Sequence, residues 1–121
     1  MKYEFKIIAF TNDPDFSISL ATECNKYGFL LSFIEHINEI SSELEENVIV
    51  VMLLDLHEYT TNPFQLCEGI KNKDGIPVFG VLNTFSKQLQ EKAKESGFDL
   101  VFTKKMLIKS IREVVIHVSN E

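Results

Sequence analysis

Five alternations of a short apolar run with an amphipathic stretch predict a doubly wound α/β sandwich, with parallel strands joined by right-handed crossovers and helices on both faces. Two further features agree. Residues 48–54 (VIVVMLL) are apolar at every position, as a parallel strand covered on both faces must be, and no hairpin signal interrupts the alternation. With 121 residues, 45% of them hydrophobic and 25% charged, one domain spanning residues 1–121 is expected, since two full domains do not fit.

Residues 5–10 (FKIIAF) read as the first strand. Asn12 or Asp13 caps a first helix with Pro14 in its opening turn, where a missing N–H does no harm. Ser17, Leu20, Ala21, Cys24 and Tyr27 then recur at helical spacing, and Gly28 supplies a left-handed stop. Residues 29–34 form a second strand, and Ile37, Ile40 and Leu44 mark a short, acidic second helix. Residues 48–54 are the central strand. Asn62 and Pro63 open a third helix whose inner face is Leu66, Cys67 and Ile70. Residues 76–82 make a fourth strand opened by Pro77, where a lost donor is tolerated. Leu89, Ala93 and Gly97 line the buried side of a fourth helix, with Lys87, Glu91, Lys92, Lys94 and Glu95 on its wet side. Residues 100–103 are the fifth strand, and Leu107, Ile108, Ile111, Val115 and Val118 define the last helix.

Charge excludes some functions. The net charge is −6: residues 1–60 carry three Lys/Arg against eleven Asp/Glu (−8), residues 61–121 nine against seven (+2). That sign speaks against nucleic acid as the main partner. The densest acidic group, Glu35, Glu39, Glu43, Glu45 and Glu46, reads as a solvated helix face. No apolar run approaches the roughly 18 residues that cross a bilayer. Lys2, Glu4 and Lys6 break the first apolar stretch, so neither membrane nor secretion is expected and the cytoplasm is the expected compartment. Cys24 and Cys67 lack metal-site spacing and read as small buried hydrophobes on opposite faces of the sheet. His36 and His117 read as surface residues. Ser-His-Asp order, a Walker motif and GxGxxG are absent, and TNDPDF lacks the glycine that a flavin phosphate loop needs.

In a doubly wound sheet, ligands and chemistry lie beyond the carboxyl ends of the strands, here at residues 11–13, 55–57, 82–84 and 103–105. Asp55 closes an apolar strand, where its carboxylate is poorly solvated from behind. Alone it reads as a cap on backbone N–H groups of its loop. Lys104, at the end of the fifth strand, points to the same crevice, and an Asp55–Lys104 ion pair is expected.

LLDL around Asp55, Leu66 with Ile70-Lys71, IPVFGVL from Ile76, Ala93 with SGFD from Ser96, and Lys104 together resemble the receiver domain of bacterial two-component response regulators, in its chemotaxis-type single-domain form. The resemblance covers essentially the whole chain. It implies a flavodoxin-like fold with strand order 2-1-3-4-5, Asp55 as the candidate phosphoacceptor, Lys104 as phosphate counter-charge, and a partner and dimer surface on the fourth helix, fifth strand and fifth helix.

It also implies an acidic pair directly after the first strand, holding Mg²⁺ with the phosphoacceptor and a backbone carbonyl two residues beyond it. Thr11 and Asn12 stand there instead, which leaves Asp13, Asp55 and the His57 carbonyl as a weak Mg²⁺ set. The family's Ser/Thr after the fourth strand falls on Leu82, with Asn83 or Thr84 as re-registered substitutes. Its aromatic switch residue falls on Val101, the proline after its lysine on Lys105, and its loop proline on Tyr59. The expectation is a non-enzymatic, atypical receiver, or pseudo-receiver, without a cofactor. It would act by contact with other signalling proteins or a second copy through Lys87, Lys94, Val101, Phe102, Lys105, Ile108 and Lys109. Two alternatives stand beside it: a phosphorylatable receiver taking phosphate on Asp55 from a histidine kinase with Mg²⁺, and a flavodoxin-like small-ligand domain.

Overall fold

The computed structural model describes residues 4–44, 48–57 and 62–119. Along the chain run β1 (Glu4–Phe10), α1 (Pro14–Tyr27), β2 (Leu30–Phe33), a 3₁₀ turn (Ile37–Glu39) leading into α2 (Ile40–Glu43), β3 (Val48–Asp55), α3 (Pro63–Lys73), β4 (Val78–Leu82), α4 (Lys87–Glu95), β5 (Leu100–Thr103) and α5 (Lys104–Ser119). The strands form one parallel sheet in the order 2-1-3-4-5 that the resemblance implies, with β3, apolar at every position before Asp55, in the middle.

Strand alternation divides the core into two layers. Val50, Met52 and Leu54 of β3 face Ile40 of α2, Phe64, Cys67 and Ile70 of α3 and Ala93 of α4. Val51 and Leu53 face Phe16, Leu20 and Cys24 of α1 and Leu107, Ile111 and Val115 of α5. The two cysteines therefore lie on opposite sides of the sheet, buried and unpaired. Burial pushes both thiols up to about 11.

Local chemistry sets the ends of the elements. Asp13 caps α1 by accepting from the Phe16 N–H, Pro14 occupies the first turn, and Gly28 closes the helix at φ 74°. Asn62 caps α3 by accepting from the Phe64 and Gln65 N–H groups. The inner stripe of α1 differs from the expected one: Phe16, Leu20 and Cys24 are buried, whereas Ala21 and Tyr27 are exposed. Because α1 packs on α5 as well as the sheet, the residues four apart that face this angle are the ones covered.

The second helix is a 3₁₀ turn plus four residues, with Leu44 exposed beyond its end. Its glutamates do more than face water. Glu39 accepts from the Glu35 and His36 N–H groups (2.8 and 2.7 Å), and Glu43 pairs with Lys6 of β1 and accepts from the Ser32 hydroxyl. Glu45, Glu46 and Tyr59 lie outside the described residues, as do the side chains of Ile37 and Val118. β2 is trimmed to four residues, and β4 starts at Val78 because Pro77 offers only its carbonyl, which accepts from the Met52 N–H at 2.9 Å. Gly97 is not on the inner side of α4. It follows that helix in an exposed left-handed turn at φ 101°.

Candidate functional site

Four strand ends meet at one crevice. Asp55 continues the series Val51, Leu53 along β3, so alternation turns its carboxylate toward the side covered by α1 and α5. It is 4% exposed and is the one buried polar or charged residue among those described. Its Oδ1 accepts from the His57 N–H at 2.9 Å, and its Oδ2 accepts from the Thr11 hydroxyl at 2.7 Å. The same Oδ2 lies 2.9 Å from the Lys104 Nζ. Both readings of Asp55 thus hold together: it caps its own loop and forms the expected ion pair.

Lys104 also donates to Asp13 Oδ2 at 3.0 Å, and its Nζ sits 5.6 Å from the Phe16 ring centroid. Burial alone would push the lysine down. Hydrogen bonds to Asp55 and Asp13 outweigh it and hold Lys104 above its ordinary pKa. The Lys104 hydrogen bond, then the Phe16 N–H, hold Asp13 below the usual carboxylate range. Every carboxylate oxygen in the crevice is engaged: Asp13 by the Phe16 N–H and Lys104, Asp55 by the His57 N–H, Thr11 and Lys104. Thr11, which stands where an acidic residue was implied, accepts from the Asp13 N–H while donating to Asp55.

His57 takes a role not read from the sequence. Its half-exposed ring accepts the Asn83 N–H on Nε2 at 3.1 Å, which makes Nδ1 the protonated nitrogen of the neutral ring. This bond ties the loop after β4 to the loop after β3. Leu82 cannot do so. It is 1% exposed and packs in the α3/α4 layer with Leu54, away from the Asp55 carboxylate. Asn12, Asp13, Asp55, His57, Asn83 and Lys104 line an open cleft of about 220 Å³. Thr84 is exposed and does not line it. Among the described residues, no cluster of three or more His, Cys, Asp or Glu side chains is placed to hold a metal ion.

The expected interaction face is only partly a surface. Lys87, Lys94, Lys105 and Lys109 are exposed. Val101 and Phe102 are half-buried against opposite core layers, Phe102 edge-on to Phe79 at 6.0 Å, and Ile108 packs on the α1/α5 layer. Alternation along β5 is the reason, since neighbouring strand residues cannot share a face. Of the exposed apolar groups nearby, Phe85 (67%) and Met106 (59%) are more open than Leu100 of β5 (37%) and Ile116 of α5 (41%). The signal for Phe85 was present in the sequence: it precedes the cap Ser86, where an apolar residue packs on the fourth helical residue, and that residue is Gln90.

No protein-family model matches the sequence, and no curated protein does. Solved structures match across nearly all of it. The signal receiver domain of a protein described as the response regulator NarL, from Mycobacterium tuberculosis, is 13% identical, covers 98% of each chain and has a TM-score of 0.80. A two-component response regulator from Clostridium difficile is 18% identical over 95% of this chain and 98% of its own, at 0.75. The Mn²⁺-bound form of response regulator Rcp1 is 16% identical over 90% of each chain, at 0.68. The chain has the fold of response-regulator receiver domains.

Proposed function

We propose that this chain is a non-enzymatic receiver module of signal transduction, working in the cytoplasm by protein contact and not charged by Mg²⁺-dependent phosphoryl transfer. The receiver fold supports the signalling role. One observation carries the rest: the Asp55 carboxylate is already satisfied from within by Lys104, Thr11 and the His57 N–H.

The donor set does not fit Mg²⁺. That ion demands near-octahedral oxygen ligation and gives up its water reluctantly. Asp13, Asp55 and Lys104 together carry one net negative charge (−2 + 1), Asp13 is committed to capping α1, and the remaining first-strand groups are a hydroxyl and an amide. Without that cation, the charge developing on a transferring phosphoryl group goes largely unneutralised. The contacts to partners are assigned to the face of α4, β5 and α5, with Lys87, Lys94, Lys105 and Lys109 at its surface, and this includes association with a second copy.

Acetyl phosphate or beryllofluoride with millimolar Mg²⁺ tests the reading by intact mass and amide spectra. No added mass and no shift at Asp55 are expected. The second reading, a phosphorylatable receiver with Asp55 as nucleophile and Lys104 as counter-charge, draws support from the 2.9 Å Asp55–Lys104 pair at the strand ends. Stoichiometric phosphate that disappears in Asp55→Asn would establish it and overturn the first.

A further inference from the structure

We propose that the outer edge of β2 takes an added strand, a basic extended segment of a partner protein, at a surface separate from the face of α4, β5 and α5. β2 ends the sheet, with β1 as its one neighbour among the described strands. The Ile34 N–H donates to the Ala9 carbonyl at 3.0 Å, so Ile34 turns its backbone inward, and alternation turns Ser32 and Leu30 inward with it. Leu31 and Phe33 therefore aim their N–H and C=O groups out of the sheet, where no described residue bonds to them.

Sheet edges are ordinarily guarded by a charged side chain, a proline or a bulge. Residues 29–34 read FLLSFI, with no charge, no proline and no glycine. Apolar side chains flank this edge on both faces. The register places Leu30 on the face of Lys6 and Ile8, toward α2, and Phe33 on the face of Ala9, toward α1. With α2 only four residues long, Leu30 stays 39% exposed, and Phe33 stays 46% exposed. An added strand alternates its side chains over both faces and would cover the two together.

Charge selects the occupant. Residues 23–44 hold four glutamates against one lysine, Lys26. Glu43 is paired with Lys6, while Glu35 and Glu39 stand exposed just beyond the carboxyl end of β2. A strand carrying Lys or Arg complements that end, whereas a second copy would bring a further −6 and the same glutamates to it. The edge is also held in place before any partner arrives. Phe29 meets Phe5 edge-on at 6.0 Å where the chain enters β2, and Glu39 ties down the Glu35 and His36 N–H groups where it leaves, so little ordering entropy is lost on docking.

Amide exchange of the ¹⁵N-labelled chain tests this with a synthetic peptide of about eight residues that alternates Val and Lys. The comparison probes are the same peptide with Glu for Lys, and a copy with Pro for two of its Val residues, which cannot complete a ladder of hydrogen bonds. At about 1 mM Val-Lys peptide, the Leu31 and Phe33 amides are expected to exchange at least about tenfold more slowly, and Ser32, already bonded to β1, should change less. Affinity should fall at least about tenfold in Phe33→Lys, which puts a guarding charge on the edge. The comparison peptides should leave Leu31 and Phe33 as they are. Unslowed exchange at those two amides, equal protection by either comparison peptide, or the same protection from raised protein concentration alone would overturn the proposal, the last by giving the edge to a second copy. Should Phe33→Lys fail to fold, Glu35→Lys must narrow the preference for the Lys peptide over the Glu peptide at least about threefold. Phosphate on Asp55 would defeat the contact-only reading and leave this result unchanged, so the two failures are distinguishable.

Discussion

Lys104 is the residue on which the crevice turns, because among the described residues it alone neutralises a carboxylate that is 4% exposed. Lys104→Met is expected to cost up to about 3 kcal/mol by leaving Asp55 buried with its charge uncompensated, measured by denaturant unfolding. The pH dependence has two limbs. Asp13 has a folded pKa below its ordinary 3.8, so its contribution is present above that pH and is lost as pH falls through the lower folded value. Lys104 has a folded pKa above its ordinary 10.5, so its contribution is present below that pH and is lost as pH rises through the higher folded value. In Lys104→Met both limbs should flatten, and unchanged limbs would show that the pair is not coupled. His57→Ala removes the acceptor of the Asn83 N–H. Exchange of that amide should quicken about tenfold, the equivalent of one lost hydrogen bond of about 1.4 kcal/mol, while amides of β1 keep their rates.

Among the elements, β4 shows how closely the sheet and its covering layers meet. A Cβ at Gly80 would stand 3.1 Å from the Phe98 ring, which itself packs edge-on to Phe64 at 6.2 Å. Gly80→Ala is expected to destabilise by about 1–3 kcal/mol through overpacking. Gly80→Ala/Phe98→Leu should recover part of that loss in thermal unfolding, and strict additivity of the two changes would show that the ring is not the obstacle. The helix starts are set more locally. Asn62→Ala removes the only side-chain oxygen that accepts from the Phe64 and Gln65 N–H groups among the described contacts, and about 1 kcal/mol of stability should go with it.

Across the whole molecule, the two layers isolate Cys24 from Cys67 and keep both thiols neutral, each pushed from 9.0 up to about 11. A chromogenic disulfide reagent at about pH 8, below the ordinary thiol range, should therefore label the native protein only as fast as it unfolds. Immediate stoichiometric labelling would contradict the packing. The linkage has a definite sign. Stability is full below pH 9.0 and falls as pH rises toward 11, where the unfolded chain ionises its thiols and the folded one does not.

The order of elements, their caps, the central β3 and the Asp55–Lys104 pair were legible in the chain because each follows from local chemistry: a periodicity, a missing N–H, a carboxylate or an ammonium at the end of an apolar run. The bond between His57 and Asn83, the burial of Leu82, the division of Val101 from Phe102 and the exposure of Phe85 and Met106 were not. Those depend on which strands lie side by side and which layer covers each face, and residues 26 positions apart meet only when the sheet has closed. Periodicity states that a side chain has an inside and an outside; the packing of α1, α4 and α5 across the sheet decides how much of that inside is covered.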